Sequence, residues 1–238
     1  DSSTSRGLGD VYKRQVAEGG GGNEMNIRNL SRAICDRNDN QPMYAILQLS
    51  GMNRYELITD ELVDFPSDAV IKTDNYTWLK STGNIEWANN IDPRISKPIT
   101  NYMKYCYNET HQILKTLHSI KNFQTLCYYE GVRHKIFFWQ KELNDERMKL
   151  IFTNKELTYW YSTINWDSCW FHNQYEGLAE WGIDNGYTGA LHEDHINNPP
   201  QGWAIIDGKK TMVGHPSTEC HQAFAEKVVG RWITDATY

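Results

Sequence analysis

Histidines on stiff turns, a glycine run and an amide close behind a glycine are the groups in this chain whose spacing could do chemistry. Near its end stands GHPSTECHQAFAEKVV, residues 214–229, with His215 and His221 on either side of a Pro-Ser pair. A proline directly after His215 restricts the turn and holds the ring, which suits a general base. His221 falls inside the following run and is expected to be structural. Far upstream, four glycines at 19–22 precede Asn23, and Gly20 there permits a close backbone approach that a side chain would block. A third stretch, SGMNR at 50–54, sets Gly51 two residues before Asn53. A backbone N–H in a glycine loop and an Asn side-chain amide are donors of the kind that stabilise a developing oxyanion, where losing one costs ~3–4 kcal/mol. A fourth group, HEDH at 192–195, spaces His192 and His195 three apart around two carboxylates. That spacing can hold a divalent ion on a helix. Here it abuts NNPP and reads as loop, which weakens a metal-hydrolase reading.

The bulk composition narrows the classes. The 24 Lys and Arg against 30 Asp and Glu give a net charge of −6, with no basic block, so a nucleic-acid partner is not expected. No apolar run is long enough to span a membrane. The nine Trp keep sugar or acyl-chain binding in view, although core filling is the commoner use of aromatics. The five cysteines, Cys35, Cys106, Cys127, Cys169 and Cys220, are odd in number and lack CxxC spacing. Neither a disulfide framework nor a thiolate zinc site is expected, and a reducing, cytoplasm-like compartment fits. No cofactor is expected.

Several elements must position these groups. After the glycines, Ile27, Leu30 and Ile34 recur at helical spacing, predicting a helix of roughly 12 residues. Residues 42–50, PMYAILQLS, read as a strand buried on both faces, as in a parallel sheet. Residues 55–98 are mixed and aromatic, an insertion or lid of short elements. Ile99, Met103, Cys106, Thr110, Ile113, Leu117 and Ile120 predict one long amphipathic helix ending near Gly131. HKIFFWQ, 134–140, is a second buried strand, and a helix between two such strands makes a βαβ unit. Residues 141–200 read as irregular and aromatic, with one helix in YEGLAEWGIDNG. WAIID at 203–207 predicts a short strand with a turn at Asp207-Gly208. A final helix is capped by Ser217, with Cys220, Phe224, Val228 and Trp232 on one face.

In chain order, Gly20 with Asn23, Gly51-Met52-Asn53 and His215-Pro216-Ser217 resemble the signature blocks of the SGNH hydrolases, also called GDSL-type esterases. The likeness is greatest to the divergent versions in phage and environmental sequences. It implies a three-layer α/β/α domain with a parallel, flavodoxin-like sheet carrying aromatic-rich insertions. It also implies a Ser/His ester hydrolase acting on a small-molecule or glycan ester. His215 would be the base, with Gly20 and Asn53 as the oxyanion donors.

The chain departs from that pattern in two places. No Gly-Asp-Ser-like block precedes Gly20, so the nucleophile and the first strand are expected to be missing, and the fragment to be inactive. Where the family often has Asp, three residues before the His, stands Met212; Asp207 is the nearby substitute, with Asp194 a more distant one. The opening residues 1–15, with DVYKRQ, resemble a translated sequencing adapter, which leaves 16–238 as the domain. Two other readings compete: an SGNH-like fold without catalysis, binding glycans through WDSCWF and YWYSTINW or serving as a phage structural module, and a metal-dependent hydrolase using HEDH.

Overall fold

The computed structural model describes residues 22–37, 42–52, 54–59, 70–72, 77–81, 93–106, 108–187, 189–190, 203–206, 209–212 and 215–235. The chain is mixed α/β, mostly helical, around a three-stranded parallel sheet.

Helix α1 (Asn23–Cys35) starts directly after Gly22, with Glu24 in its first turn and Arg32 in its last. Both charges complement the helix dipole. Its buried Ile27 and Ile34 keep the predicted period. Strand β1 (Tyr44–Leu49) follows. Ala45, Leu47 and Leu49 are buried, Ile46 is half-buried and Gln48 is exposed. One face of the strand is therefore fully covered, rather than both.

The aromatic stretch after β1 contains a small antiparallel sheet of β2 (Tyr55–Thr59), β3 (Val70–Lys72) and β4 (Thr77–Ser81), in the order β2-β4-β3. The single long helix predicted next is two, α2 (Pro93–Tyr105) and α3 (Glu109–Tyr129). The break falls at Asn108, whose extended backbone and side chain cap α3 by accepting from His111 N–H at 2.7 Å. An Asn that satisfies an orphan helix donor starts a helix more favourably than it continues one. The end comes where predicted. Gly131 has φ +62; its N–H bonds Tyr128 C=O at 3.3 Å, and Val132 N–H bonds Cys127 C=O at 2.8 Å. This is a Schellman cap, in which glycine takes the left-handed position at no steric cost.

Strand β5 (Arg133–Phe138) pairs parallel with β1, from Tyr44 opposite Arg133 to Leu49 opposite Phe138. The predicted βαβ unit is present. Residues 141–200 hold more helix than expected: α4 (Asp145–Thr153) and α5 (Lys155–Thr163). Asn144 and Asn154 cap them, accepting from Arg147 N–H, and from Glu156 and Leu157 N–H. A short 3₁₀ turn (Trp166–Ser168) leads into β6 (Cys169–Trp170), which adds parallel to β5, and then comes α6 (Leu178–Asp184).

Toward the end, β7 (Gly189–Ala190) pairs with β10 (His215–Pro216), and β8 (Trp203–Ile206) with β9 (Lys209–Met212). Ile206 opposite Lys209 leaves two residues between the strands, the spacing of an Asp-Gly hairpin turn. Helix α7 (Thr218–Phe224) is capped by Ser217, whose Oγ accepts from Cys220 N–H at 3.2 Å. It runs on through a π-helical stretch (Ala225–Val229) into α8 (Gly230–Asp235). Residues four apart drift about 40° around an α-helix, and the wider π turn takes back part of that drift. Trp232 consequently still lies 6.0 Å from Phe224 and 6.0 Å from Phe137, ring to ring.

Alternation along the parallel strands feeds two separate cores. Ala45, Leu47, Leu49, Ile136, Phe138 and Cys169 join α1, α3, α4 and α5 in the larger. Phe137, with Ile46 and Trp170 beside it, joins α6 and α7 in the smaller. A strand's side chains point to opposite faces in turn, so helices lie against both sides of the sheet.

Candidate functional site

All three parallel strands end at one edge, and the segments that follow them carry the polar groups. After β1 come Ser50, Gly51 and Met52, all buried. Asn23, the first residue of α1, reaches across to this turn. Its Oδ1 accepts from Ser50 N–H at 2.7 Å and from Ser50 Oγ–H at 3.0 Å. Asn23 is 5% exposed and Ser50 9%, so these bonds are shielded from water. The turn closes with Arg54 N–H on Gly51 C=O at 3.1 Å.

The segment after β5 grips the same turn from the other side. Glu142, 3% exposed, accepts from Met52 N–H at 3.1 Å through Oε2. The same oxygen takes Arg147 Nη1 at 2.6 Å, while Oε1 takes Gln140 Nε2 at 2.8 Å. Arg147 also donates to the Glu142 carbonyl at 2.9 Å and, through Nε, to Glu109 at the start of α3. Burial works against the Arg147 charge, but the hydrogen bonds and charges of Glu109 and Glu142 outweigh it and raise its pKa. Arg54 has its pKa lowered by burial, with Glu142 pulling the other way. A buried carboxylate is sustainable only with partners of this kind.

Gly177 locks the next segment onto β5. A Cβ there would stand 2.4 Å from the Phe138 carbonyl oxygen and 2.7 Å from Gln140 N. Glu180 accepts from Gly177 N–H at 2.9 Å and from Lys141 N–H at 3.1 Å. Among the described residues, one set of metal-ligating side chains converges: His172, Glu176 and Asp184, with ligand atoms all within 4.8 Å of one another. It follows β6 and was not anticipated.

The structure thus brings together two of the three expected blocks, the glycine-run end of α1 and the turn after β1. Gly20, Asn53, Asp207 and the HEDH residues, including Asp194, lie outside the described residues. Of His215 the backbone is described, opposite Ala190. His221 stands on the exposed side of α7, although partial burial of its ring lowers its pKa. Ser50 is not placed like an activated nucleophile in its bond to Asn23: an amide oxygen is no base for a hydroxyl proton.

No known protein family, curated protein or solved structure matches the chain. The site is therefore read from its own geometry. The rings of the two Trp-rich stretches are mostly half-buried, and Tyr159 is exposed. Trp166 and Phe171 lie against the larger core and Trp170 against the smaller, and the Tyr161 and Trp166 rings are 4.6 Å apart. All five cysteines are free. Burial pushes the Cys127 and Cys169 thiols up to about 12 and Cys220 to about 11, so none of the three is an activated nucleophile. No helix among the described residues is long and apolar enough to cross a membrane.

Glu142 and Arg147 were missed by sequence reasoning. KELNDER looks like a solvated charge run, and nothing in it signals that one carboxylate turns inward to a backbone N–H beyond the neighbouring strand.

Proposed function

We propose that the chain carries an SGNH-type ester hydrolase site. In this reading His215 is the general base, Asp207 orients it, and the Gly20 N–H and Asn53 amide hold the oxyanion. The observation that carries the reading is the Asn23–Ser50 contact. It joins the start of α1, three residues beyond Gly20, to the turn that leads to Asn53. Two oxyanion donors from separate blocks need that kind of link, because they must converge within hydrogen-bond reach of one oxygen. The link lies at the carboxyl end of a parallel strand, where open α/β sheets bind their ligands.

The finer architecture belongs to the same reading. The order β1-β5-β6, all parallel, agrees with the last three strands of a flavodoxin-like sheet. Helices on both faces agree with three layers. Ser50 stands in the Gly-x-Asn block rather than in a Gly-Asp-Ser-like one, so the reading leaves the nucleophile outside the three blocks.

The chemistry is acyl transfer. The serine attacks the ester carbonyl as His215 takes its proton; the alcohol leaves with a proton returned by His215; water then releases the acid. General-base assistance supplies roughly 10²–10⁴-fold. Labelling with a fluorophosphonate tests the reading. Protein that carries a Gly-Asp-Ser-like block ahead of Gly20 should be modified at one serine, and His215→Ala should suppress the labelling. Labelling that is absent, or indifferent to His215, counts against it.

A further inference from the structure

We propose that His172, Glu176 and Asp184 bind one first-row divalent cation, with zinc as the preferred ion. The inference is independent of the esterase reading and uses none of its residues.

The donors come from two segments, the turn after β6 and a helix anchored at the end of β5. His172 and Glu176 lie in the turn after β6, and Asp184 ends α6. The turn folds back on itself: His172 N–H donates to Glu176 C=O at 2.9 Å. Tyr175 sits at φ +63, a left-handed conformation that is uncommon for a non-glycine residue. Its hydroxyl is held by Tyr161 Oη at 3.1 Å, and its ring stands edge-on to Phe171 at 5.4 Å. Helix α6 is fixed in turn by Gly177 against the Phe138 carbonyl and by Ala179 N–H on Trp139 C=O at 2.8 Å. Both segments are therefore held before any ion arrives.

The donor chemistry is that of a zinc-type site. One imidazole nitrogen and two carboxylates suit an ion of intermediate softness, with bonds of about 2.0–2.2 Å. Ligands at that distance around a tetrahedron lie about 3.4 Å apart. His172 Nε2 now donates to Asp184 Oδ2 at 2.8 Å, so the pair needs only a small opening for an ion to replace the shared proton. The remaining donor atoms, within 4.8 Å, need a closing movement of up to about 1.4 Å to reach that spacing. Glu176 is already oriented: Asn173 Nδ2 donates to its Oε2 at 2.7 Å. Partners of this kind fix a ligating carboxylate and raise affinity. Without an ion, the two carboxylates stand within 4.8 Å of each other and repel; a divalent cation removes that repulsion. Three protein donors leave a fourth tetrahedral position for water or an anionic oxygen, as in zinc sites that do chemistry rather than brace a fold.

The test uses the 238-residue chain, stripped with EDTA and titrated with Zn²⁺ by calorimetry and with Co²⁺ by visible absorption. One ion should bind. His172→Ala and Glu176→Gln should each weaken binding by more than about a hundredfold, since loss of an orienting partner alone costs 10–100-fold. Asn173→Ala should fall within that lesser range. Circular dichroism and thermal midpoints identify a variant that fails to fold; Glu176→Gln, in a surface turn, keeps the test open if His172→Ala does so. A double His192→Ala/His195→Ala variant should bind as the parent does. No uptake of either ion at millimolar concentration overturns the proposal. So does unchanged binding in both folded donor variants, or loss of binding in the double variant.

Discussion

Asn23 Oδ1 accepts from both the N–H and the hydroxyl of Ser50, at 2.7 and 3.0 Å, across the seam between α1 and the end of β1. Both residues are buried. Replacing Asn23 with Leu removes both bonds, each worth about 0.5–1.5 kcal/mol. Ser50→Ala removes one of the two bonds and should cost about 1 kcal/mol. The effects should be non-additive, since the residues touch. Urea unfolding of the two single variants and the double variant measures this. Additivity within about 0.3 kcal/mol would mean the contact does not hold the turn.

Glu142 supplies a second prediction. Removing one partner of a buried ion pair costs about 3–5 kcal/mol because the other charge is stranded. Glu109 still faces Arg147, so Glu142→Ala should fall below that range, at about 1–3 kcal/mol from the Met52 N–H it leaves without this acceptor, while Glu142→Gln, which keeps one, should cost less. Hydrogen exchange at Met52 should quicken in the Ala variant. A loss below about 1 kcal/mol for Glu142→Ala would show that Met52 N–H is satisfied elsewhere.

Thiol reactivity should divide the five cysteines. Cys35 and Cys106 are exposed, while Cys127, Cys169 and Cys220 are buried with raised pKa values. Ellman's reagent at pH 8 should titrate two thiols in the native protein and five after denaturation. Fast reaction of a third would place a buried thiol in contact with solvent.

His134 on β5 gives a pH dependence with a definite sign. Burial lowers its pKa, Lys135 adds to the lowering and a backbone bond to Val132 opposes it. Its ring packs edge-on to Phe123 at 5.7 Å. The folded state prefers the neutral ring, so below pH about 6.5 the unfolded chain binds the proton more readily. Stability should fall as pH drops through that value toward the lowered folded pKa, and His134→Gln should remove this part of the decline. Denaturant midpoints of both proteins at pH 7.5 and 5.5 test it. Parallel loss in the two would exclude His134 as the cause.

Local signals told most about this fold. Gly22 before Asn23, Gly131 after α3 and Ser217 before α7 each mark a boundary that the backbone respects. Each acts within a few residues, so one sequence displays it. Apolar period misled at 106–108, where it ran on through a break set by Asn108. It also failed across 145–163, where aromatics on several sides of α4 and α5 blur the stripe. Of the site, the closeness of the α1 start and the post-β1 turn followed only from the resemblance, which set Gly20 and Asn53 at one oxyanion. The Glu142–Arg147 grip and the His172, Glu176 and Asp184 cluster were not readable. They join residues brought together by the sheet, and no spacing rule connects them.

The central claim is that His215 and Asn53 serve an acyl-transfer site. The most direct measurement is the hydrolysis rate of a short-chain aryl ester by protein that carries a Gly-Asp-Ser-like block ahead of Gly20, compared with its His215→Ala and Asn53→Ala variants. The account predicts that kcat falls by roughly 10²–10⁴-fold for His215→Ala and about 10²–10³-fold for Asn53→Ala, with thermal midpoints little changed. Hydrolysis that is absent from the parent, or equal in all three proteins, would contradict it.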